Sequence, residues 1–351
     1  MDYLAKYSHL LWYTLLDEWK KAAEINRFTL SRKAADVPLS KLIALKYHKI
    51  VDAILIGEVI ERRLEKLMCQ FELTGFILIR FLYYYDAKLS GSAIICIIFP
   101  NPGFEPDDLD FYLEAKHESA ALEFLRNHGY IISAPIYDNS RTSTNLPAGP
   151  YPIYSAPNTN TYTRLYRLFL PKPYTKTINI VISKGRAILP ILGFHSSGVM
   201  NYMAHHGLVI LYPETTFKRI SIPNAPDSIY SMDARTIAAI DKYKNRNWTF
   251  KRTNELSSVP HNCTADPYCA QTIRSLHDKA VLHIPSTDLA MAPGYSAYKA
   301  LKSDANRALW MLSGGKHCYE GSNCDNVGFA YVDATEILAS SAAKTEKHQF
   351  I

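Results

Sequence analysis

Long uncharged apolar runs are missing from this chain. Its most apolar region, Leu73 to Pro100, is interrupted by Arg80, Asp86 and Lys88, so no stretch reaches the length of a bilayer-spanning helix. Met1 to Asp17 mixes Lys6, His9, Asp2 and Asp17 with its apolar residues, which speaks against a secretory signal. A cytoplasmic or nuclear location, with no membrane partner, is the expectation. Also missing are a Gly-x4-Gly-Lys-Ser/Thr phosphate loop, a Gly-x-Ser-x-Gly nucleophile elbow, and a glutamate at zincin spacing beside His205-His206. Cysteine is scarce, at 6 residues, and in a reducing compartment disulfides are not expected to staple the fold.

What is present is ample core material. Hydrophobic residues make up 48% of 351, which argues against wholesale disorder and allows two domains or one with a large helical extension. The net charge of +6 suits a phosphate-bearing ligand, as it does many ordinary proteins.

The rhythm of the chain points to an α+β fold: a mixed sheet with flanking helices, a helical N-terminal region and a mixed C-terminal extension. Apolar positions recur at helical spacing over residues 1–30, from Ser40 to Leu67, and from Glu72 to Tyr85. Shorter elements then alternate: a strand at Lys88–Ser90, a helix from Ala93, a strand at Leu109–Leu113, a helix from His117 to Asn127 stopped by Gly129, and a strand from Tyr130. Residues 134–160, rich in Pro, Asn, Ser and Thr, read as an exposed loop. Tyr162–Leu170 and Lys176–Ser183 read as an antiparallel pair around Pro171 and Pro173. A helix is expected after Ser183-Lys184-Gly185, Phe194–Tyr212 reads as buried and mostly helical, and Ala234–Tyr243 as a further helix. These elements divide the chain into a helical region (1–70), a central mixed domain (71–213) and a loop-rich extension (214–351).

The most informative motif is the turn Ser90-Gly91-Ser92, followed by Asp108-Leu109-Asp110. On a strand, Asp108 and Asp110 point to one face and Leu109 to the other. Two carboxylates beside a small-residue turn can hold Mg²⁺ and leave room for phosphates; a solvated strand end has the same spacing. The pattern Gly-Ser, spacer, Asp–hydrophobic–Asp-Phe111 resembles the polymerase-β-like nucleotidyltransferase superfamily. The spacer Ala93–Asp107 is slightly longer than usual, and Pro100, Pro102, Gly103 and Pro106 can absorb the excess as a loop. Ser90–Ser92, Phe104–Leu113, Gly129-Tyr130, Thr177–Ser183, Phe194–Asn201 and Leu211-Tyr212-Pro213 are similar to uncharacterised nucleotidyltransferase-like proteins of mushroom-forming fungi, over roughly residues 70–250.

That resemblance implies a nucleotidyltransferase-like fold. It implies that Asp108 and Asp110 bind Mg²⁺ as catalytic carboxylates, and that Gly91 and Ser92 approach the phosphates of a nucleoside triphosphate while a nucleoside monophosphate passes to an unidentified acceptor. A third carboxylate on a later strand would position or deprotonate the acceptor hydroxyl. Here that strand, Thr177–Ile182, carries Asn179 at the site-facing position, and an amide cannot take a proton. Two readings follow: a Mg²⁺-dependent transferase, or an inactive module of the same fold acting in ligand sensing or in protein or nucleic-acid interaction.

Other residues carry their own alternatives. Lys184 and Arg186, with the backbone of Ser183–Gly185, suit an anion beside Asn179 or merely decorate a strand-to-helix turn. Cys69 and Cys96 read as core residues. Cys263-x5-Cys269 and Cys318-x5-Cys324, with His261 and His317 nearby, make either a structural Zn²⁺ staple or unpaired packing cysteines. Lys242, Lys244, Arg246, Lys251 and Arg252 alternate with Tyr243, Trp248 and Phe250. That is the footprint of a nucleic-acid contact, or equally a helix end with its aromatics turned inward. His195 reads as a hydrogen-bonded cap of the following apolar segment rather than as the base of a Ser–His pair.

Overall fold

The computed structural model describes residues 27–47, 49, 51–138, 161–171, 173–224, 234–252, 255–256, 266–269, 272–287, 308–312 and 329–331. Over these residues the chain is mixed α and β, with a mixed sheet and flanking helices.

The N-terminal region contributes helices α1 (Arg27–Ala34), α2 (Leu39–Tyr47), α3 (Ala53–Cys69) and α4 (Gly75–Tyr84). The single helix expected over Ser40–Leu67 is two. Asp52 is extended and its side chain accepts from Leu55 N at 2.7 Å, so it caps a fresh start rather than continuing the previous helix. Thr74 caps α4 in the same way, accepting from Ile77 N at 3.2 Å. Helix α3 buries Leu55, Val59, Ile60, Leu64 and Leu67 on one stripe, the 3.6-residue period that its sequence shows.

Strand β1 (Lys88–Ser90) leads through Gly91 into α5 (Ser92–Ile98), and a proline-rich loop returns the chain to β2 (Asp108–Glu114). Helix α6 (Glu118–Asn127) follows, then short strands β3 (Ile131–Ile132) and β4 (Tyr137–Asp138), and the hairpin of β5 (Tyr162–Phe169) and β6 (Thr177–Ser183). The region expected to be helical from Phe194 to Tyr212 is instead a 3-10 turn at Ser197–Val199 and a second hairpin, β7 (Asn201–Ala204) with β8 (Gly207–Ile210). A continuous apolar run reads alike as helix or buried strand. Gly207 decides it: its φ of +134° makes the turn, and a Cβ there would strike the backbone of Ile284 and Pro285.

The central sheet has nine strands among the described residues: with β12 (Leu282–Pro285) at one edge, the order is β12-β8-β7-β1-β2-β6-β5-β3, with β4 also on β5. Its edge strand β12 (Leu282–Pro285) comes from the C-terminal extension and pairs antiparallel with β8. The β2/β6 pair is parallel, and its other neighbours are antiparallel. Both faces are covered. On one, Phe111 packs edge-on to Phe81 of α4 at 5.0 Å, and Phe81 lies 5.5 Å from Phe124 of α6. On the other, Tyr112 meets Phe194 at 5.7 Å. This double cover is why β2 is buried from Leu109 to Leu113 without an exposed face.

Further along lie α7 (Leu189–Leu192), α8 (Pro213–Phe217), β9 (Ile220–Ser221) and α9 (Ala234–Lys244), followed by β10 (Thr249–Phe250). β11 (Arg274–Ser275), β13 (Leu309–Met311) and β14 (Phe329–Tyr331) form a separate small sheet. The helix expected directly after Gly185 starts only at Leu189 and is four residues long. Ser183 Oγ instead donates to Arg186 O at 2.8 Å, closing a turn. Cys69 is exposed and Cys96 half-buried, so neither is the core residue that its apolar neighbours suggest; both lie on helices whose buried stripes run through other positions. No helix among the described residues is long and apolar enough to cross a membrane.

Candidate functional site

Four strands place one side chain each on a single rung of the sheet. Ser90 of β1 pairs with Asp110 of β2, Asp110 with Asn179 of β6, and Asn179 with Arg167 of β5. Residues in register across neighbouring strands share a face, and Asp108, two positions before Asp110, joins them. Asp110 and Asn179 are buried and Asp108 is half-buried, so the group sits at the sheet end with one carboxylate towards the surface.

The hydrogen bonds fix how this rung works. Asn179 Nδ2 donates to Asp110 Oδ1 at 2.8 Å and to Asp108 Oδ2 at 3.0 Å. Arg167 Nε donates to Asn179 Oδ1 at 3.0 Å. The amide orientation follows from chemistry alone. A guanidinium is only a donor and a carboxylate only an acceptor, so Asn179 must turn its oxygen to Arg167 and its NH₂ to the aspartates. Both amide hydrogens are thereby used on the two carboxylates, bridging them and easing their mutual repulsion.

Gly91 completes the corner. Its φ of +75° and ψ of −150° lie in a region essentially reserved for glycine, and a Cβ there would overlap Asp110 Oδ2. Ser90 Oγ donates to Asn201 O at 2.5 Å, tying this turn to β7. Ser92 is buried at the start of α5.

Tyr243 of α9 lies near these carboxylates, on the face of β2 that Asp110 shares with Tyr112. Burial pushes the Tyr243 phenol up; Arg246 opposes this, and Asp110 and Asp108 add to it, which places that ring in the electrostatic field of the pair. His195 lies 5.7 Å from the same ring. Burial holds its pKa down to about 4, with Lys242 adding to the effect. Its Nδ1 has no partner among the described residues, so it is a packed neutral imidazole whose backbone carbonyl, not its ring, bonds to Asn224 N.

A divalent cation such as Mg²⁺ asks for hard oxygen donors. Asp108 and Asp110 are hard oxygen donors on one face and fit one Mg²⁺ whose other ligands are phosphate and water. Asn179 offers N–H groups rather than oxygen to that place. Among the described residues no three or more His, Cys, Asp or Glu side chains come together as a metal site.

The expected site residues thus divide. Gly91, Ser92, Asp108, Asp110 and Asn179 converge. Lys184 does not: it follows Ser183, whose β2 partner is Glu114, at the end of the strand away from Asn179. Cys269 is buried, while Cys263, Cys318, Cys324, His261 and His317 lie outside the described residues. In the basic–aromatic segment Tyr243 and Trp248 are buried, with Lys242 and Lys244 exposed, the inward-turned arrangement. Comparison with known proteins finds no match among family models, curated proteins or solved structures.

Arg167 and Tyr243 are the members that sequence reading missed. A hairpin folded about Pro173 places Arg167 across from Asn179, so strand pairing carried a usable signal for the first. Tyr243 is distant in sequence and arrives only through the packing of α9.

Proposed function

We propose that this chain is a nucleotidyltransferase-like protein that binds a nucleoside triphosphate at Asp108 and Asp110 with Mg²⁺ and does not transfer the nucleotidyl group. Gly91 and Ser92 lie beside the carboxylates, where a triphosphate would approach. The cation, when bound, would offset phosphate charge. The observation that carries the reading is the orientation of Asn179. Its amide has no basic atom for an acceptor hydroxyl, and its N–H groups already serve the two carboxylates. The order of the β1-β2-β6 strands and the convergence of Gly91, Asp108 and Asp110 support the superfamily resemblance.

The transferase reading retains the same Gly91, Asp108 and Asp110 in its favour, and one experiment separates the two. The full chain is titrated with each nucleoside triphosphate in Mg²⁺ or Mn²⁺ by calorimetry, and incubated with the α-labelled nucleotides, beside an Asp108→Asn/Asp110→Asn control. Metal-dependent binding that the control loses, without label transfer or pyrophosphate release, is the expected result. Label transfer lost in the control would establish the enzyme instead. Absence of metal-dependent nucleotide binding would overturn both.

A further inference from the structure

Asn179 Nδ2 lies 2.8 Å from Asp110 Oδ1 and 3.0 Å from Asp108 Oδ2. Neighbouring ligands of an octahedral Mg²⁺, bonded at roughly 2.0–2.1 Å, stand about 3 Å apart. Relative to both carboxylates, the amide nitrogen therefore sits at the spacing of a third ligand. Its spacing fits and its element does not, because an amide N–H is a donor and hard cations take oxygen. A half-turn of the side-chain amide would exchange nitrogen for oxygen with little other movement, since its two ends are nearly alike in size.

Arg167 forbids that half-turn. Asn179 Oδ1 accepts from Arg167 Nε at 3.0 Å, and no other donor bonds to that oxygen among the described residues. A turned amide would set its NH₂ against the guanidinium, donor on donor, and its oxygen against two carboxylates, acceptor on acceptor. Asn179 is buried, so water cannot relieve either clash and the cost is that of unmade buried hydrogen bonds. Arg167 is itself held by its strand. It lies across from Asn179 in the β5/β6 pairing, and its neighbours Tyr166 and Leu168 point to the other face. Both are buried there, and Tyr166 Oη donates to Glu118 Oε1 at 2.5 Å.

We infer that Arg167 is a positioning residue: by fixing the Asn179 amide it withholds a third oxygen ligand, and so sets how tightly the site holds a divalent cation. The inference rests on the reading of Asp108 and Asp110 as ligands of that cation. With Arg167 in place the rung offers two carboxylate oxygens. Without it the amide can turn when a cation binds, its oxygen joining the carboxylates and its NH₂ facing the space the guanidinium leaves. Loss of Arg167 also removes a positive charge, which favours a cation by itself. The two effects are separable, because only the first needs Asn179.

The test is Mn²⁺ titration of the full chain, followed by electron paramagnetic resonance, in the parent, Arg167→Met, Asn179→Leu and the double variant. Arg167→Met should tighten binding at least about tenfold more in the parent than in the Asn179→Leu background, where charge is lost but no amide can turn. Asn179→Leu alone should not weaken binding, since the amide supplies no oxygen in the parent. Arg167→Lys, which keeps both the charge and a donor for Asn179 Oδ1, should bind as the parent does. Water proton relaxation should report fewer waters on Mn²⁺ bound to Arg167→Met than to the parent, a count that a merely structural role leaves unchanged.

Unfolding curves verify that each variant folds, and Asn179→Leu and Arg167→Lys test the inference should Arg167→Met not fold. Arg167→Met acting equally in both backgrounds, weaker binding in Asn179→Leu, Arg167→Lys tightening as Arg167→Met does, or an unchanged water count would each overturn the inference and leave the cation site standing. Absence of any Mn²⁺ binding that Asp108→Asn/Asp110→Asn abolishes would overturn the reading of the site, and the inference with it.

Discussion

Asn179 Nδ2 donates to Asp110 Oδ1 at 2.8 Å, across the parallel pairing of β2 and β6. This contact joins two carboxylates through a neutral amide bridge. It sets both the electrostatics of the rung and the limit on its chemistry.

Introducing a carboxylate at position 179 should reverse both. Asn179→Asp places a third negative charge against Asp108 and Asp110, with the Arg167 guanidinium beside it. Without divalent metal the variant should lose roughly 2–4 kcal/mol of stability. Mn²⁺ or Mg²⁺ should restore much of that loss, because three carboxylates form a stronger hard-cation site than two. Thermal unfolding with and without metal checks this; a variant as stable as the parent in EDTA would refute the bridge.

Gly91 should tolerate no side chain. Gly91→Ala combines a backbone conformation reserved for glycine with an overlap on Asp110 Oδ2, at a cost of about 1–3 kcal/mol from the backbone alone. Gly103 has a φ of +89° but nothing within 4 Å of its Cβ position. Gly103→Ala should therefore cost less, and only Gly91→Ala should also impair metal-dependent binding. Urea unfolding of the two variants makes the comparison.

Arg63 is buried, and burial lowers its pKa to about 10, with nearby Asp36 opposing. It donates to Ala35 O at 3.0 Å, to Ile97 O at 2.8 Å and to Val37 O. It thereby joins the α1–α2 connection to the end of α5. Arg63→Met should cost roughly 3–5 kcal/mol by leaving several buried carbonyls unpaired, and Arg63→Lys should not rescue it, since an ammonium lacks the planar fork. Denaturant midpoints report both.

Two histidines should make the fold acid-sensitive. Burial holds His195 at about 4, with Lys242 contributing, and burial with neighbouring His206 holds His283 at about 3. Both are neutral in the folded protein where the unfolded chain titrates near its ordinary value of 6.5. Below that value the unfolded state takes up protons that the folded state refuses. Stability is then level above pH 6.5 and falls as pH drops towards 4, by up to about 1.4 kcal/mol per pH unit for each histidine. Urea midpoints across that window should show a shallower fall in His195→Gln and in His283→Gln than in the parent.

Local signals made much of the architecture legible. The strand around Leu109, the hairpin of β5 and β6, and helices α6 and α9 follow from periodicity and from stops such as Gly129. The apolar run from Phe194 to Tyr212 does not reveal its own conformation. Its hairpin exists because Gly207 lets β12 approach from a segment far along the chain. Cys69 illustrates the same limit in reverse, since apolar neighbours say nothing about which side of a helix a residue occupies.

By itself, then, the sequence determined the residues of the carboxylate motif, the alternation that puts Asp108 and Asp110 on one face, and the neutral side chain at Asn179. Those are properties of a few adjacent residues. Only the tertiary structure decided that Asn179 turns its NH₂ to both carboxylates, because that orientation depends on Arg167 from another strand and on parallel pairing with β2. Likewise Pro100, Pro102, Gly103 and Pro106 marked a loop in the sequence, but its anchoring required Arg219, Arg246 and Lys176 to reach it from distant segments. Such contacts form only when the sheet brings those segments together, and no local pattern encodes them.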